Sequence, residues 1–289
     1  MLIEPLAFDS MGVRSMATFV RTKDLKILID PGAALGPRRY GLPPHPVEIR
    51  ALELLSKRIE ERALEADVIV VTHYHYDHHN LGDRISLDIY RGKLLFIKDP
   101  DNMINFSQGK RRAPLFLEKI RGLPTKIDVA EENSLKVGDT VVKFSKAVTH
   151  GANSRLGYVV EVYISDGKMS FLHSSDVEGP VNDEQVEFIL DMNPEVLFLD
   201  GPMTYMLGYR FSQDHLRKAM ELVERIVEET DVKKIVWDHH LLRDLDFRSK
   251  IADAVEHASG KGVKIVTAAE FLGERNNLLE ARRRELYGR

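Results

Sequence analysis

Cysteine is missing from the 289 residues, and its absence excludes disulfides, thiolate nucleophiles, iron–sulfur clusters and Cys-ligated zinc together. Any metal must be held by nitrogen and oxygen. No run approaches the roughly eighteen apolar residues of a membrane-crossing helix, so no membrane partner is expected. The opening MLIEPLAFDS carries Glu4 and Asp9 where a secretory leader needs a basic start and an apolar run, and the expected location is cytoplasmic. Neither sign of charge dominates, since 41 Lys and Arg against 45 Asp and Glu give a formal net charge of −4. No global positive field draws the chain to nucleic acid, and such a partner would need a local patch. A Gly-x-Ser-x-Gly elbow is also missing, which together with the lack of Cys removes the common covalent routes of acyl transfer.

What is present is an ordinary globular balance, 43% hydrophobic and 30% charged with 19 Gly and 12 Pro, in a chain long enough to bury a sizeable core. No repeat, low-complexity tract or linker divides it, so a single domain over residues 1–289 is expected, with the Gly- and Pro-rich stretch 31–46 as its main punctuation. Short β-branched or apolar runs predict strands at 16–20, 26–29, 68–72, 93–97, 140–148, 157–164, 169–172, 196–199, 234–237 and 263–266. Apolar residues at helical spacing predict helices at 47–64, 183–190, 213–229, 247–258 and 268–287. The first of these is a helical insertion over about 47–65 and the last a C-terminal helix. Ser212 can cap the third and Gly260 close the fourth. Strands interleaved with helices give an α/β class of layered sheets covered by helices.

The most informative run is Val71-Thr72-His73-Tyr74-His75-Tyr76-Asp77-His78-His79-Asn80, which follows a predicted strand directly. A turn after a strand can aim His73 and His75 inward together and bend Asp77 and His78 back to a neighbouring point, so two ions could be served. Imidazole and carboxylate suit zinc, iron or manganese at sites that keep a position open for water. A loop of solvated or hydrogen-bonded histidines is the alternative, and the density of the run argues against it.

The His-x-His-x-Asp-His pattern resembles the metal motif of the metallo-β-lactamase superfamily, in a mainly archaeal branch rather than a true β-lactamase. The resemblance continues in order along the chain. Ile27-Leu28-Ile29-Asp30-Pro31-Gly32 is similar to the strand that ends in an acidic residue and a glycine, which implies that Asp30 orients ligands from behind. Ala147-Val148-Thr149-His150-Gly151 resembles the segment that supplies a third histidine, and Phe171-Leu172-His173-Ser174-Ser175-Asp176 the strand ending in a bridging aspartate. Ile235-Val236-Trp237-Asp238-His239-His240 resembles the last strand and its histidine, with His239 favoured by strand length and His240 as the alternative.

The resemblance implies a four-layer αββα sandwich and two divalent metal ions, zinc first, with iron or manganese also suited. One ion would be held by His73, His75 and His150, the other by Asp77, His78 and His239, with Asp176 between them. Asp77 and Asp176 are then the catalytic carboxylates of a hydrolase, because two ions about 3.5–4 Å apart can share a hydroxide and clamp the attacking and leaving oxygens. Two departures stand out: Gly82 follows the histidines late, and residues 31–67 are long enough to overhang the site. Flavodiiron relatives carry Glu where His75 stands, which favours hydrolysis over redox chemistry.

Substrate residues are less marked. Lys110, Arg111 and Arg112 form a basic loop that could hold phosphate oxygens or be a solvated charge run, Arg38 in the Pro- and Gly-rich loop poses the same choice, and Tyr205 lies in an apolar-aromatic stretch suited to a pocket wall or a subunit contact. These favour a phosphodiester, from nucleic acid or a nucleotide, over a lactone or thioester. An acyl substrate would call for an apolar pocket at Tyr205 and a Lys110 loop turned away. The reading of another class is a metal-binding scaffold without turnover, whose sign would be a lost ligand, and none is lost. His79, His173, His215 and His240 are candidate proton donors, each with a hydrogen-bonded structural role as competitor.

Overall fold

The computed structural model describes residues 1–289. Six strands lie side by side in sequence order: β1 (Leu2–Phe8), β2 (Met16–Arg21), β3 (Lys26–Ile29), β4 (Val68–Val71), β5 (Leu94–Ile97) and β6 (Lys126–Val129). The first three pair antiparallel and the rest parallel. Next come β7 (Ser134–Val137), β8 (Thr140–Phe144), the short ribbon β9 (Val148–Thr149) with β10 (Tyr158–Val159), and β11 (Val162–Ser165). Then follow β12 (Ser170–His173), β13 (Val196–Asp200), β14 (Lys234–Asp238) and β15 (Lys264–Val266). Outside the ribbon these strands form a second sheet in the order β15-β14-β13-β12-β11-β8-β7, parallel from β12 to β15.

Alternation along the strands decides which layer each side chain enters. Val142, Phe144, Val162, Ile164, Phe171, Phe198 and Val236 join the first sheet in one core. Their neighbours Leu172, Leu197, Leu199, Ile235 and Trp237 point the other way and meet helix residues such as Leu222, Val223, Ile226 and Ala254. In β4 every residue of Val68-Ile69-Val70-Val71 is buried, as expected for a parallel strand covered on both faces. One of its covers is helix α1 (Pro46–Glu65), which contributes Leu52, Leu55, Ile59 and Ala63 to the same core. The result is the four-layer αββα sandwich, with α1 and α2 (Ala113–Lys119) outside the first sheet and α3 (Glu184–Met192), α4 (Gln213–Glu229) and the following helices outside the second.

Helix ends follow local chemistry. Pro46 opens α1, where its missing N–H costs nothing, and the Glu48 carboxylate accepts from the His45 backbone N–H at 2.7 Å. Ser212 Oγ accepts from the His215 N–H at 3.0 Å and caps α4. Three expectations fail. The expected helix over 268–287 forms only α7 (Ala268–Phe271) and α8 (Arg283–Leu286), because Gly273 turns left-handed at φ 76° and the segment between is tied elsewhere: the Asn277 N–H donates to the Ser10 carbonyl at 2.7 Å. The helix expected over 247–258 breaks at Ile251 into α5 (Phe247–Lys250) and α6 (Ala252–Gly260), and Gly262 rather than Gly260 takes the left-handed position past its end. Strands β1, β6 and β7 had no counterpart in the sequence reading. No helix is long and apolar enough to cross a membrane.

Candidate metal centre

The strand ends place the site. Asp30 follows β3, Thr72 and His73 follow β4, His150 follows β9, Ser174 to Asp176 follow β12, and His239 follows β14. Three of these turns are left-handed at residues other than glycine, with φ 54° at Asp30, 56° at Ser175 and 58° at His239, a strained geometry that collects where function over-determines the backbone. Gly32 is needed for a different reason: a Cβ there would lie 2.4 Å from the His79 backbone nitrogen, so only glycine lets the β3 loop lie against the histidine turn.

The Asp176 carboxylate is the hub. Its Oδ1 lies 3.0 Å from His78 Nε2, and its Oδ2 lies 3.2 Å from His150 Nε2, 3.4 Å from His239 Nε2 and 3.6 Å from His73 Nε2. His75 turns its Nδ1 toward His150 Nε2 at 3.2 Å, and Asp77 Oδ2 stands 3.9 Å from His239 Nε2. Four groups of nitrogen and oxygen atoms are each close enough to share one ion: His73, His75, His150 and Asp176; Asp77, His78 and His239; Asp30, His73 and His78; and Asp176, His239 and His240. The first two match the ligand sets that the sequence implies. His73 Nε2, His78 Nε2 and Asp176 Oδ1 are buried without an aligned hydrogen-bond partner. Orphaned polar atoms at this density are costly, and divalent cations satisfy them, so the residues fit the ions that the sequence implies.

The far side of the imidazoles is braced. His78 Nδ1 lies 2.7 Å from Asp30 Oδ2, while the other Asp30 oxygen accepts from the Thr72 N–H at 2.8 Å. His239 Nδ1 lies 2.7 Å from Asp9 Oδ2, and His240 Nδ1 lies 2.9 Å from Asp200 Oδ2. A carboxylate behind an imidazole fixes its tautomer and aims the other nitrogen forward. Burial favours neutral imidazoles and holds His73, His75 and His240 well below the ordinary histidine value. It opposes charge on His78 and His239 too, but Asp176 and Asp30 hold His78 well above that value, and Asp176 with Asp9 pushes His239 up to about 10. Burial likewise works against the Asp77 charge, yet His78 and His239 hold this carboxyl below the usual carboxylate range.

A cavity of about 380 Å³ opens over the cluster, with His75, Asp77 and Asp176 in its floor and Arg14, Arg112 and Arg243 in its walls. Arg243 is nearly fully buried, its Nε donating to Asp9 Oδ1 at 2.8 Å and its Nη2 lying 3.2 Å from His239 Nε2. Arg14 makes two hydrogen bonds to Glu280, both at 2.6 Å. Arg112 has no carboxylate partner and stacks its guanidinium 4.7 Å from the centre of the Tyr76 ring.

Comparison with known proteins fits this architecture. The family model described as Metallo-beta-lactamase superfamily matches residues 11–80, the span holding Asp30 and His73 to His78. A UPF0282 protein of Metallosphaera sedula is 49% identical over 99% of this chain and 93% of its own length. The chain belongs to the UPF0282 family. Another UPF0282 protein, from Korarchaeum cryptofilum, is also 49% identical over 99% of this chain and 94% of its own. Among solved structures, the isothiocyanate hydrolase from Delia radicum gut bacteria superposes with a TM-score of 0.54 at 17% identity, over 89% of this chain and 94% of that one. Unliganded yeast PDE1 gives 0.54 at 13% identity, over 92% and 96%. At such identities the likeness shows the shared metallo-β-lactamase fold alone.

Several expected residues of this UPF0282 chain fall elsewhere. Lys110 and Arg111 are exposed and do not line the cavity: in the π-turn Gln108–Arg112 the buried residues are Gln108 and Gly109, and Arg112 alone lines the cavity. Arg38 also points to solvent, and Tyr205 is covered by the Arg39 guanidinium at 4.6 Å rather than open to a ligand. His173 is structural, with Nε2 3.0 Å from the Met16 carbonyl and Nδ1 accepting from the Ser175 N–H. Asp9, Arg14, Arg243 and Gln108, whose Nε2 lies 3.4 Å from His75 Nε2, were missed. For Arg243 the spacing gave no signal, because His239–Arg243 is a 3₁₀ turn, in which residues i and i+3 rather than i and i+4 share a side.

Proposed function

We propose that this chain is a metal-dependent hydrolase of phosphodiesters, with two divalent ions, zinc first, held by His73, His75 and His150 and by Asp77, His78 and His239, and with Asp176 between them. The observation that carries the reading is the convergence of four imidazole Nε2 atoms within 3.6 Å of the Asp176 carboxylate at the floor of an open cavity. Bound there, the ions would supply an activated water and a polarised leaving-group oxygen at neutral pH. Asp30 and Asp9 hold His78 and His239 in the tautomer whose Nε2 faces inward. Asp77 stays ionised beside two imidazoles and is placed to accept a hydrogen bond from the water that attacks.

Arg112, the cavity-wall guanidinium with no carboxylate partner, supports the phosphodiester over the acyl alternative, since a planar donor fork matches phosphoryl oxygens, while Arg14 and Arg243 are paired with Glu280 and Asp9. The exposed Lys110 and Arg111 are the outcome an acyl substrate would call for, but Arg112 at the end of the same turn lines the cavity. A small molecule and a nucleic-acid end both remain within this class. The test is hydrolysis of bis(p-nitrophenyl) phosphate by metal-loaded protein beside Asp77→Ala. Turnover that the variant lacks is expected; no turnover with two ions bound moves the assignment to lactones or thioesters.

A further inference from the structure

Beside the metal cavity lies a second one, of about 390 Å³, and Ala34 and Tyr76 are walls of both. Its remaining walls are apolar at Ala33, Leu81 and Ile85 and polar or charged at Ser56, His79, Asn80, Asp83 and Arg84. His79 is 1% exposed. Its Nδ1 lies 2.9 Å from the His75 carbonyl oxygen, and because a carbonyl only accepts, that nitrogen carries the hydrogen and Nε2 is left as an acceptor. Nε2 is buried and has no hydrogen-bond partner in the chain. A buried acceptor of this kind asks for an N–H or O–H that the protein does not supply. The partition, Tyr76, is 47% exposed and brings to the junction of the two cavities an aromatic ring that also carries the Arg112 guanidinium, 4.7 Å from its centre.

Resting on the phosphodiester reading, we propose that the second cavity seats the nucleobase of a nucleotide whose phosphate lies in the metal cavity. Three requirements coincide there: a flat ring for Tyr76 and the aliphatic walls, an N–H donor for His79 Nε2, and a short link to an anion across a shared wall. An alkyl arm lacks the donor, and a bare sugar lacks the ring.

Calorimetric titration of the metal-loaded protein tests this with three probes: adenosine 5′-monophosphate, purine riboside 5′-monophosphate, which lacks the amino group, and ribose 5-phosphate, which lacks the base. Adenosine monophosphate should bind at least about tenfold more tightly than ribose 5-phosphate, with the purine riboside nucleotide between them. Ala33→Trp, which fills the cavity, should bring all three to the affinity of ribose 5-phosphate. His79→Phe should close only the gap between the two purine nucleotides, and Ala33→Trp keeps the test intact if that variant does not fold. Equal affinities for the three probes, no binding of adenosine monophosphate, or a preference that survives Ala33→Trp overturns the assignment. Heat of binding is read whether or not any phosphodiester turns over, so a failed hydrolase reading and a failed cavity assignment give different results.

Discussion

Asp9 and His239 are 230 positions apart in the chain, yet Asp9 Oδ2 stands 2.7 Å from His239 Nδ1, and the other Asp9 oxygen accepts from Arg243 Nε at 2.8 Å. One carboxylate from the turn after β1 therefore sets both an imidazole of the cluster and a guanidinium of the cavity wall. Asp9→Asn should weaken the ion at Asp77, His78 and His239 by about 10- to 100-fold, the common cost of losing such a brace. Asp9→Ala should also lower stability by about 3–5 kcal/mol, because Arg243 is left buried without its carboxylate. Chelator competition and denaturant unfolding measure the two effects. An unchanged affinity in both variants would remove Asp9 from the site.

His239 and His240 are separable by metal counting. Only His239 Nε2 approaches both Asp77 and Asp176, while His240 Nε2 lies 3.9 Å from Glu178 Oε1. His239→Ala is expected to retain about one ion per chain and His240→Ala two, as read by elemental mass spectrometry on dialysed protein. The reverse pattern would exchange their roles.

Arg112 gives a test free of the cluster. It lines the cavity, is half-buried and has no carboxylate to leave unpaired. Arg112→Ala should lower kcat/KM on an anionic phosphodiester about tenfold, or about 1.4 kcal/mol, with metal content unchanged and stability within about 0.5 kcal/mol. Undiminished kcat/KM would show that the guanidinium does not reach the substrate.

Glu161, in the link between β10 and β11, has both carboxylate oxygens buried and unpartnered. Burial holds this carboxyl well above its ordinary range, with Lys146 opposing weakly. The folded chain thus keeps a proton that the unfolded chain releases, so stability is full below the unfolded value near pH 4.3 and falls as pH rises toward the folded one. Glu161→Gln removes the titration, and its stability relative to the parent should grow with pH by up to about 1.4 kcal/mol per unit. Guanidinium unfolding between pH 5 and pH 8 reads the gap; a gap independent of pH would mean the carboxyl is already ionised in the fold.

Much of the fold and the cluster could be read from local signals. The β-branched or apolar runs before Asp30, His73, Asp176 and His239 are strands, and their ends meet because parallel pairing of β3 with β4 and of β12, β13 and β14 brings them to one edge. Asp9 and Arg14 escaped notice because their partners, His239 and Glu280, are more than two hundred positions away, and no periodicity reports such contacts. The 268–287 segment misled for a related reason: its apolar residues have helical spacing, but Arg283 is drawn into a buried bidentate pair with Glu48 that a continuous helix does not supply. Lys110 and Arg111 were misjudged because charge density in sequence says nothing about which side of a turn faces the cavity.

The central claim is that the Asp176 carboxylate joins two ions. Elemental analysis of protein purified and dialysed against metal-free buffer, beside Asp176→Ala, tests it most directly. Two divalent ions per chain in the parent and a loss of both high-affinity sites in the variant are the predicted result. A parent that binds no transition metal, or a variant that keeps both its metal content and its activity, would contradict it.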